Sequence, residues 1–176
     1  MQDIIDECGI SRGGIYLYFS SVDEIFQEVI KQRNKQRFSI INKAVHDYEP
    51  FESVLMDYIA LQKERLINIE NTLFRAYCEY VFSKPKKAAL AFRDAQLTHL
   101  RRSVLSILML GVNQGIIRNE NIPRLADHFI VTIDGLSVLS MGEALTTDMV
   151  NEQFAVLGEM IEKIKCEKCE LHFSSD

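Results

Sequence analysis

The chain has 176 residues, a mass of 20.3 kDa, 47% hydrophobic residues and a net charge of −5. That length is enough for one or two packed units with a core. Only three prolines and long stretches of helical periodicity favour an all-α protein. No secretory signal opens the sequence and no apolar run reaches the roughly 18 residues of a membrane span, so we expect a cytoplasmic protein with no membrane partner.

The first 26 residues predict two short helices joined by a tight turn. Asp3–Cys8 has its apolar residues on one face, and Gly9 is a natural left-handed end for such a helix. Ser11 can cap the following segment, Arg12–Phe19, through its hydroxyl. This order is typical of a helix-turn-helix, whose second helix lies in the DNA major groove.

Two adjacent glycines stand inside the second predicted helix, where each costs roughly 1 kcal/mol relative to alanine. The presence of Gly13 and Gly14 in a predicted helix therefore needs an explanation other than helix propensity. Close approach to a DNA backbone is one, and a tight contact between helices is the other. The sequence leaves both open.

A third helix begins with the capping box Ser21-Val22-Asp23-Glu24 and runs to about Tyr48. Its basic residues Lys31 to Arg37 could lie near DNA or form a solvated face. Six basic and seven acidic side chains over residues 1–47 leave a balance of −1. This segment is therefore electrostatically poor for phosphate binding.

The remaining residues, 48–176, predict a helical domain. Glu49-Pro50 interrupts the pattern, and amphipathic helices are expected over 51–71, 72–82 and 86–114. Pro123 to about Ala144 is apolar on all sides, which is typical of a helix that is buried all round. The last helix carries an apolar heptad seam.

The first 26 residues resemble the DNA-binding signature of the tetracycline-repressor (TetR/AcrR) family, most specifically from Gly9-Ile10-Ser11-Arg12 through Tyr16-x-Tyr18-Phe19. The resemblance implies an all-α protein with an N-terminal helix-turn-helix over 1–47, here without the usual first helix, and a helical ligand-binding and dimerisation domain over 48–176. Val22 departs from the family, which often has a phosphate-facing lysine there. The positions that match the family's DNA-facing residues are Ser11, Arg12, Gly13, Gly14, Tyr16 and Tyr18.

The resemblance also implies a cavity for a small-molecule effector, within about residues 51–114. Aromatic and methionine side chains at helical spacing are also typical of plain core. The candidate lining residues are Tyr58, Phe74, Tyr77, Tyr80, Phe92 and Met109.

Members of this family form homodimers by packing the last two helices against their copies about a two-fold axis. The predicted interface residues in this chain are Phe129, Ile133, Leu136, Val150, Phe154, Leu157, Ile161 and Ile164.

No cofactor, metal or catalytic group is expected. Cys166 and Cys169 with His172 supply three zinc ligands at best, and four scattered cysteines do not indicate a disulfide scaffold. The histidines are scattered and no phosphate-binding glycine loop is present, so an enzyme is not expected.

The function expected from these features is a ligand-responsive regulator, a repressor that binds a palindromic DNA operator as a homodimer. The alternative is a truncated helical module that dimerises and binds ligand without holding DNA. In that case no preceding helix buries the apolar side chains of Ile4, Ile5, Ile15 and Phe19.

Overall fold

The computed structural model describes residues 1–142 and 145–166, and over these ranges the chain forms eight α-helices and no β-strand, which confirms the predicted all-α class. A 3₁₀ turn lies at Ile69–Asn71 and another at Ser140–Gly142. The helices are α1 (Gln2–Cys8), α2 (Arg12–Tyr16), α3 (Val22–His46), α4 (Phe51–Ile67), α5 (Phe74–Ser83), α6 (Lys86–Asn113), α7 (Ile122–Leu139) and α8 (Thr147–Glu162).

The chain divides into two compact units. The first is Met1–Ile40 and the second begins at Ile41. This division falls inside α3, whereas the sequence predicts a boundary between residues 47 and 48. The long helix therefore contributes residues to both units.

The first unit begins with α1 and α2, which pack together. Gly9 ends α1 with φ 62°, in the predicted left-handed conformation. Ile5 and Ile15 are buried, while Phe19 is half-buried. The second helix is shorter than predicted, because α2 ends at Tyr16.

Ser20 and Ser21 share the capping of α3. The Glu24 backbone N–H donates to Ser21 Oγ at 3.2 Å, as predicted for a serine cap. The Glu24 carboxylate accepts from Ser20 instead of Ser21, from its N–H at 2.7 Å and from its hydroxyl at 2.8 Å. These hydrogen bonds to the charged form, with that from the backbone of Ser20 contributing most, lower the pKa of Glu24.

The core of the second unit lies between α4, α6, α7 and α8. One stripe of α4 is buried along its whole length, at the three- and four-residue spacing of an amphipathic helix. Its fully or nearly fully buried members include Phe51, Val54, Tyr58, Gln62 and Leu66.

The start of α4 is joined to the end of α6 by a cluster of close contacts. The Phe51 N–H donates to Gln114 Oε1 at 2.9 Å, and Gln114 Nε2 donates to the Glu49 carbonyl at 2.8 Å. The Phe51 ring lies directly on Gly111, where an added Cβ would stand 2.8 Å from a ring carbon. Glycine at this position allows the fully buried ring to approach the α6 backbone.

The helix α7 and the turn after it, Ile122–Gly142, are long enough and apolar enough to cross a membrane by length and composition, with a mean hydropathy of 1.2. From the sequence, in contrast, we expect no apolar run of the roughly 18 residues that a membrane span needs. One face of α7, with Leu125, Phe129, Ile133 and Leu136, is buried in the second unit. A core helix satisfies the same criterion, although only 39% of this stretch is buried.

Replacing Gly111 by alanine tests the contact with Phe51. The added methyl must displace a ring that has no free space, so we expect a loss of about 1–3 kcal/mol in the free energy of unfolding. This outweighs the gain of about 1 kcal/mol that alanine brings to a helix interior. Urea unfolding measures the change. Gly158→Ala in α8, where a Cβ meets nothing within 4 Å, should be neutral or stabilising, and equal behaviour of the two variants would contradict the packing.

The capping of α3 predicts a pH dependence. Because the pKa of Glu24 is lowered in the folded chain, its contribution to stability is present above the pKa in the unfolded chain and is lost as the pH falls through the folded value. An NMR titration should show a depressed Glu24 midpoint that rises in Ser20→Ala, which removes one donor. Ser39→Ala, which removes a distant hydroxyl on the same helix, should leave it unchanged.

Candidate functional site

The predicted DNA-binding residues are brought together on and around α2. Ser11 is extended, with φ −73° and ψ 147°, and its Oγ accepts the Gly14 N–H at 3.0 Å. This is the predicted N-cap, and it defines where the helix begins. The cap, with Ile15 buried one turn later, determines which side of α2 faces solvent.

The solvent-facing side of this segment carries one cation and two phenol rings. The Arg12 guanidinium lies 5.9 Å from the centroid of the Tyr16 ring, a cation–π arrangement. Tyr18 is 78% exposed and Leu17 is 82% exposed. Leu17 is not among the residues predicted from the sequence to face DNA. Leu17 could have been found as a leucine between two outward-facing tyrosines, since apolar contacts also read base edges.

The two adjacent glycines have different surroundings. A Cβ at Gly13 would meet nothing within 4 Å, whereas one at Gly14 would stand 3.0 Å from Ser11 Oγ. Neither approaches another helix, so the contact between helices considered from the sequence is not observed. The bare backbone at Gly13 is open to close approach by a ligand.

The electrostatic surroundings of α2 are mixed. Asp3, Asp6 and Glu7 are exposed on α1. On α3, Lys31 is paired with Glu28 at 3.1 Å, which offsets part of the basic character of that helix. Val22 is exposed at the start of α3 and adds no charge. Arg12 is therefore the only basic residue on α1, on α2 and in the turn between them.

Four of the six predicted ligand-binding residues form one aromatic cluster of α5 and α6. Ring centroids are 6.1 Å apart for Phe74 and Tyr77, 5.7 Å for Tyr77 and Phe92, and 5.1 Å for Tyr80 and Phe92. All four rings are half-buried. Lys84 Nζ lies 4.7 Å from the Tyr80 centroid and covers one side of the cluster.

The other two predicted ligand-binding residues lie elsewhere. Tyr58 is buried in the α4 stripe, and Met109 is exposed on α6. A pocket of about 250 Å³ lies at the far end of α4, and none of the six residues lines it. The predicted set is therefore not the lining of that pocket.

Polar groups beside the aromatic cluster are partly shielded from water. Burial raises the pKa of the Tyr77 hydroxyl and of the Cys78 thiol. Arg93 and Asp134 pair at 3.1 Å between α6 and α7. The Tyr77 hydroxyl stays protonated near neutral pH and can donate a hydrogen bond.

The predicted dimer residues lie mostly in the core of the chain. Seven of the eight are buried inside the chain itself: Phe129, Ile133, Leu136, Val150, Phe154, Leu157 and Ile161. Only Ile164 is half-buried. The heptad seam of α8 packs in the core of its own chain, and the assignment of these residues to a dimer interface stays a prediction.

Each of the last two helices also carries exposed apolar side chains. On α7, Val131 is 69% exposed and Val138 is 55% exposed, seven residues apart. On α8, Met149 and Val156 are exposed, also seven residues apart. A seven-residue repeat keeps both pairs on one side of their helices. We call these four residues the exposed α7–α8 stripe.

Of the three residues in the cysteine–histidine cluster, one lies within the described part of the chain. Cys166 is exposed, and Cys169 and His172 lie outside the described residues. Over residues 1–142 and 145–166, no group of three or more histidine, cysteine or acidic residues could hold a metal ion. The backbone around Cys166 is held instead by its N–H donating to the Ile116 carbonyl at 2.9 Å.

Comparison with known proteins agrees with the geometry of the first unit. Residues 1–29 match the family model described as bacterial regulatory proteins, tetR family. The uncharacterized HTH-type transcriptional regulator YfiR of Bacillus subtilis is 32% identical over 81 residues, which are 46% of this chain and 39% of that protein. The chain thus matches less than half the length of this curated relative.

The fold as a whole resembles a solved regulator. A TetR transcription regulator from Haloarcula marismortui superposes with a TM-score of 0.66 at 19% identity, over 94% of this chain and 86% of that one. The chain is therefore similar to the tetR family of bacterial regulatory proteins over residues 1–29, and it shares the overall helical fold of the solved regulator.

Proposed function

We propose that the chain is a DNA-binding transcriptional regulator, a repressor that binds a palindromic operator as a homodimer and releases it when a small molecule binds. The observation that supports DNA binding most directly is the arrangement of α2. Its cap is made by Ser11, its inner side is anchored by Ile15, and its outer side presents Arg12 and Tyr16. A helix supported in this way can enter a major groove.

The exposed groups on and directly after α2 can each contact DNA. The Arg12 guanidinium can donate two hydrogen bonds to a guanine edge or bind a phosphate. The tyrosine hydroxyls can donate to phosphate oxygens, which positions the helix without reading sequence. Gly13 allows the sugar–phosphate backbone to come close, because no side chain stands there.

Few cations are available for phosphate binding, so electrostatics alone cannot supply high affinity. The chain carries a net charge of −5, and residues 1–47 carry a balance of −1. The dependence of affinity on salt follows the number of phosphates that are neutralised. We therefore expect a shallow salt dependence, with specificity carried by a few direct contacts.

The exposed α7–α8 stripe is the surface that we propose for the homodimer. The residues of the stripe stand on two helices whose other faces form the core. Two such helices from each of two copies make a four-helix arrangement about a two-fold axis, which hides apolar side chains that water now covers.

The helical second unit is proposed to bind the effector. Ligand binding relieves repression only if the ligand and DNA prefer different states of the dimer.

Replacing Arg12 by alanine should weaken binding to a promoter fragment of its own gene. Loss of a base or phosphate contact of this kind costs about 1–3 kcal/mol, which is roughly a 5- to 150-fold increase in Kd. A gel-shift titration at fixed ionic strength measures it. Arg75→Ala on α5 is the matched control, since it removes the same charge from the second unit. Equal effects of both variants would show that only net charge matters.

Replacing Val131 by glutamate should separate the dimer. A charge in the middle of an apolar contact loses its water without gaining a partner, so the monomer is favoured. Sedimentation velocity at micromolar concentration should show a dimer for the natural chain and a monomer for the variant. Met56→Glu, at an equally exposed site on α4, should remain dimeric. A natural chain that sediments only as a monomer would rule out the proposed interface.

A further inference from the structure

The long helix α3 is followed by a left-handed residue that is not glycine. Tyr48 has φ 59°, a conformation that glycine adopts freely and that strains other residues. Its N–H donates to the Val45 carbonyl at 3.2 Å, and the next N–H, of Glu49, donates to the Ala44 carbonyl at 3.0 Å. Hydrogen bonds that reach three and five residues back define a Schellman cap, with Tyr48 at the position that usually holds glycine.

Two other helices of this chain end with the same cap and have glycine at that position. After α1, the N–H groups of Gly9 and Ile10 donate three and five residues back, and Gly9 has φ 62°. After α6, the N–H groups of Gly115 and Ile116 do the same, and Gly115 has φ 69°. A tyrosine in the third of these caps therefore points to a role for its side chain.

The side chain of Tyr48 connects two helix ends. Burial of the ring is not its main role, because Tyr48 is 57% exposed. Its hydroxyl donates to the Asn113 carbonyl at 2.9 Å, across 65 positions of sequence. Asn113 is the last residue of α6, where main-chain carbonyls have no partner within the helix. The phenol thus joins the end of α3 to the end of α6.

Gln114 strengthens this connection from the other side. Its Nε2 donates to the Glu49 carbonyl at 2.8 Å, and its Oε1 accepts from the Phe51 N–H at 2.9 Å. Tyr48 and Gln114 together use three hydrogen bonds to hold the end of α3, the end of α6 and the start of α4. Each of the two side chains bonds to the backbone of the other's segment, so the position of one helix end fixes that of the other.

The helix held in this way is the one that the two units share. It is continuous over Val22–His46, and its residues up to Ile40 belong to the unit that contains α2. A palindromic operator sets the separation of its two half-sites. A dimer therefore binds it best when each α2 is held in a defined orientation beforehand, because less freedom is then lost on binding.

We propose that Tyr48 is a positioning residue for operator binding. It adopts a left-handed backbone so that its hydroxyl holds the end of α3 against the end of α6. This role rests on the proposed function, in that the chain binds a palindromic operator as a homodimer. It requires no contact between Tyr48 and DNA.

Two substitutions of Tyr48 separate positioning from stability. Tyr48→Phe removes the hydroxyl alone, and we expect its melting temperature to fall by about 2–4 °C, in line with one lost hydrogen bond. Tyr48→Gly removes the whole side chain but suits the cap, so its melting temperature should lie above that of Tyr48→Phe. Both variants should bind the operator, mapped by footprinting on the promoter fragment, about three- to tenfold more weakly than the natural chain.

An isolated half of that operator serves as the control on the DNA side. It engages one α2 and imposes no separation, so its affinity should be equal for the natural chain and both variants. Asn68→Ala is the control on the protein side, because it removes a hydrogen bond of 3.1 Å to the Glu64 carbonyl at the end of α4. This variant should bind the whole operator as the natural chain does.

Unchanged operator affinity in both Tyr48 variants would overturn the positioning role, and so would an equal loss for the whole operator and its half. Loss of affinity in Tyr48→Phe with full affinity in Tyr48→Gly would show that stability alone is at work. If the natural chain binds no fragment of its promoter, the proposed function itself fails. That result is distinct, because the variants are then not needed to reach it.

Discussion

Burial of the α4 stripe against α6, α7 and α8 is the constraint on which the second unit depends. The stripe begins at Phe51, whose ring lies on the bare backbone of Gly111, and it continues through Tyr58 to Leu66. Because protein interiors are packed as densely as crystals, each of these side chains has little freedom to move. The same packing holds Gln62 in place and forms one wall of the pocket. Packing of the core and formation of the pocket thus use the same helix face.

Local signals in the sequence predicted the first unit well. Helix ends in this unit are determined by Gly9, Ser11 and Ser21, through hydrogen bonds to residues three or four positions away. Such bonds depend only on the local sequence, so they can be predicted without the rest of the fold. The departures are also local in origin: α2 ends early, and Glu24 bonds to Ser20 instead of Ser21. Helix order along the second unit also followed from periodicity and from the break at Pro50.

Contacts between distant residues could not be predicted in the same way. A heptad pattern shows that α8 has a seam, but it does not show whether the seam packs against the same chain or a copy, and Phe154 and Leu157 prove to be core. The exposed stripe could not be predicted from the sequence, because Val131 and Val138 alternate with buried residues on a helix that is apolar all round. Likewise, the buried amide oxygen of Gln62 accepts from Arg65, which also donates to Ser137, 72 residues away. The aromatic residues of α5 and α6 pack on one another, and they do not line the pocket at the end of α4.

The polar network around Gln62 suggests how a ligand could act on a dimer. Arg65 links α4 to Ser137 of α7, and α7 carries Val131 and Val138 on its opposite, exposed side. A ligand bound in the second unit stabilises whichever position of α4 relative to α7 it contacts best. If that position differs from the one favoured when DNA is bound, the ligand lowers the affinity for DNA, and DNA lowers the affinity for the ligand by the same factor. The coupling therefore needs no contact between the two sites, only two packing arrangements of α4 and α7 that the ligand and DNA distinguish.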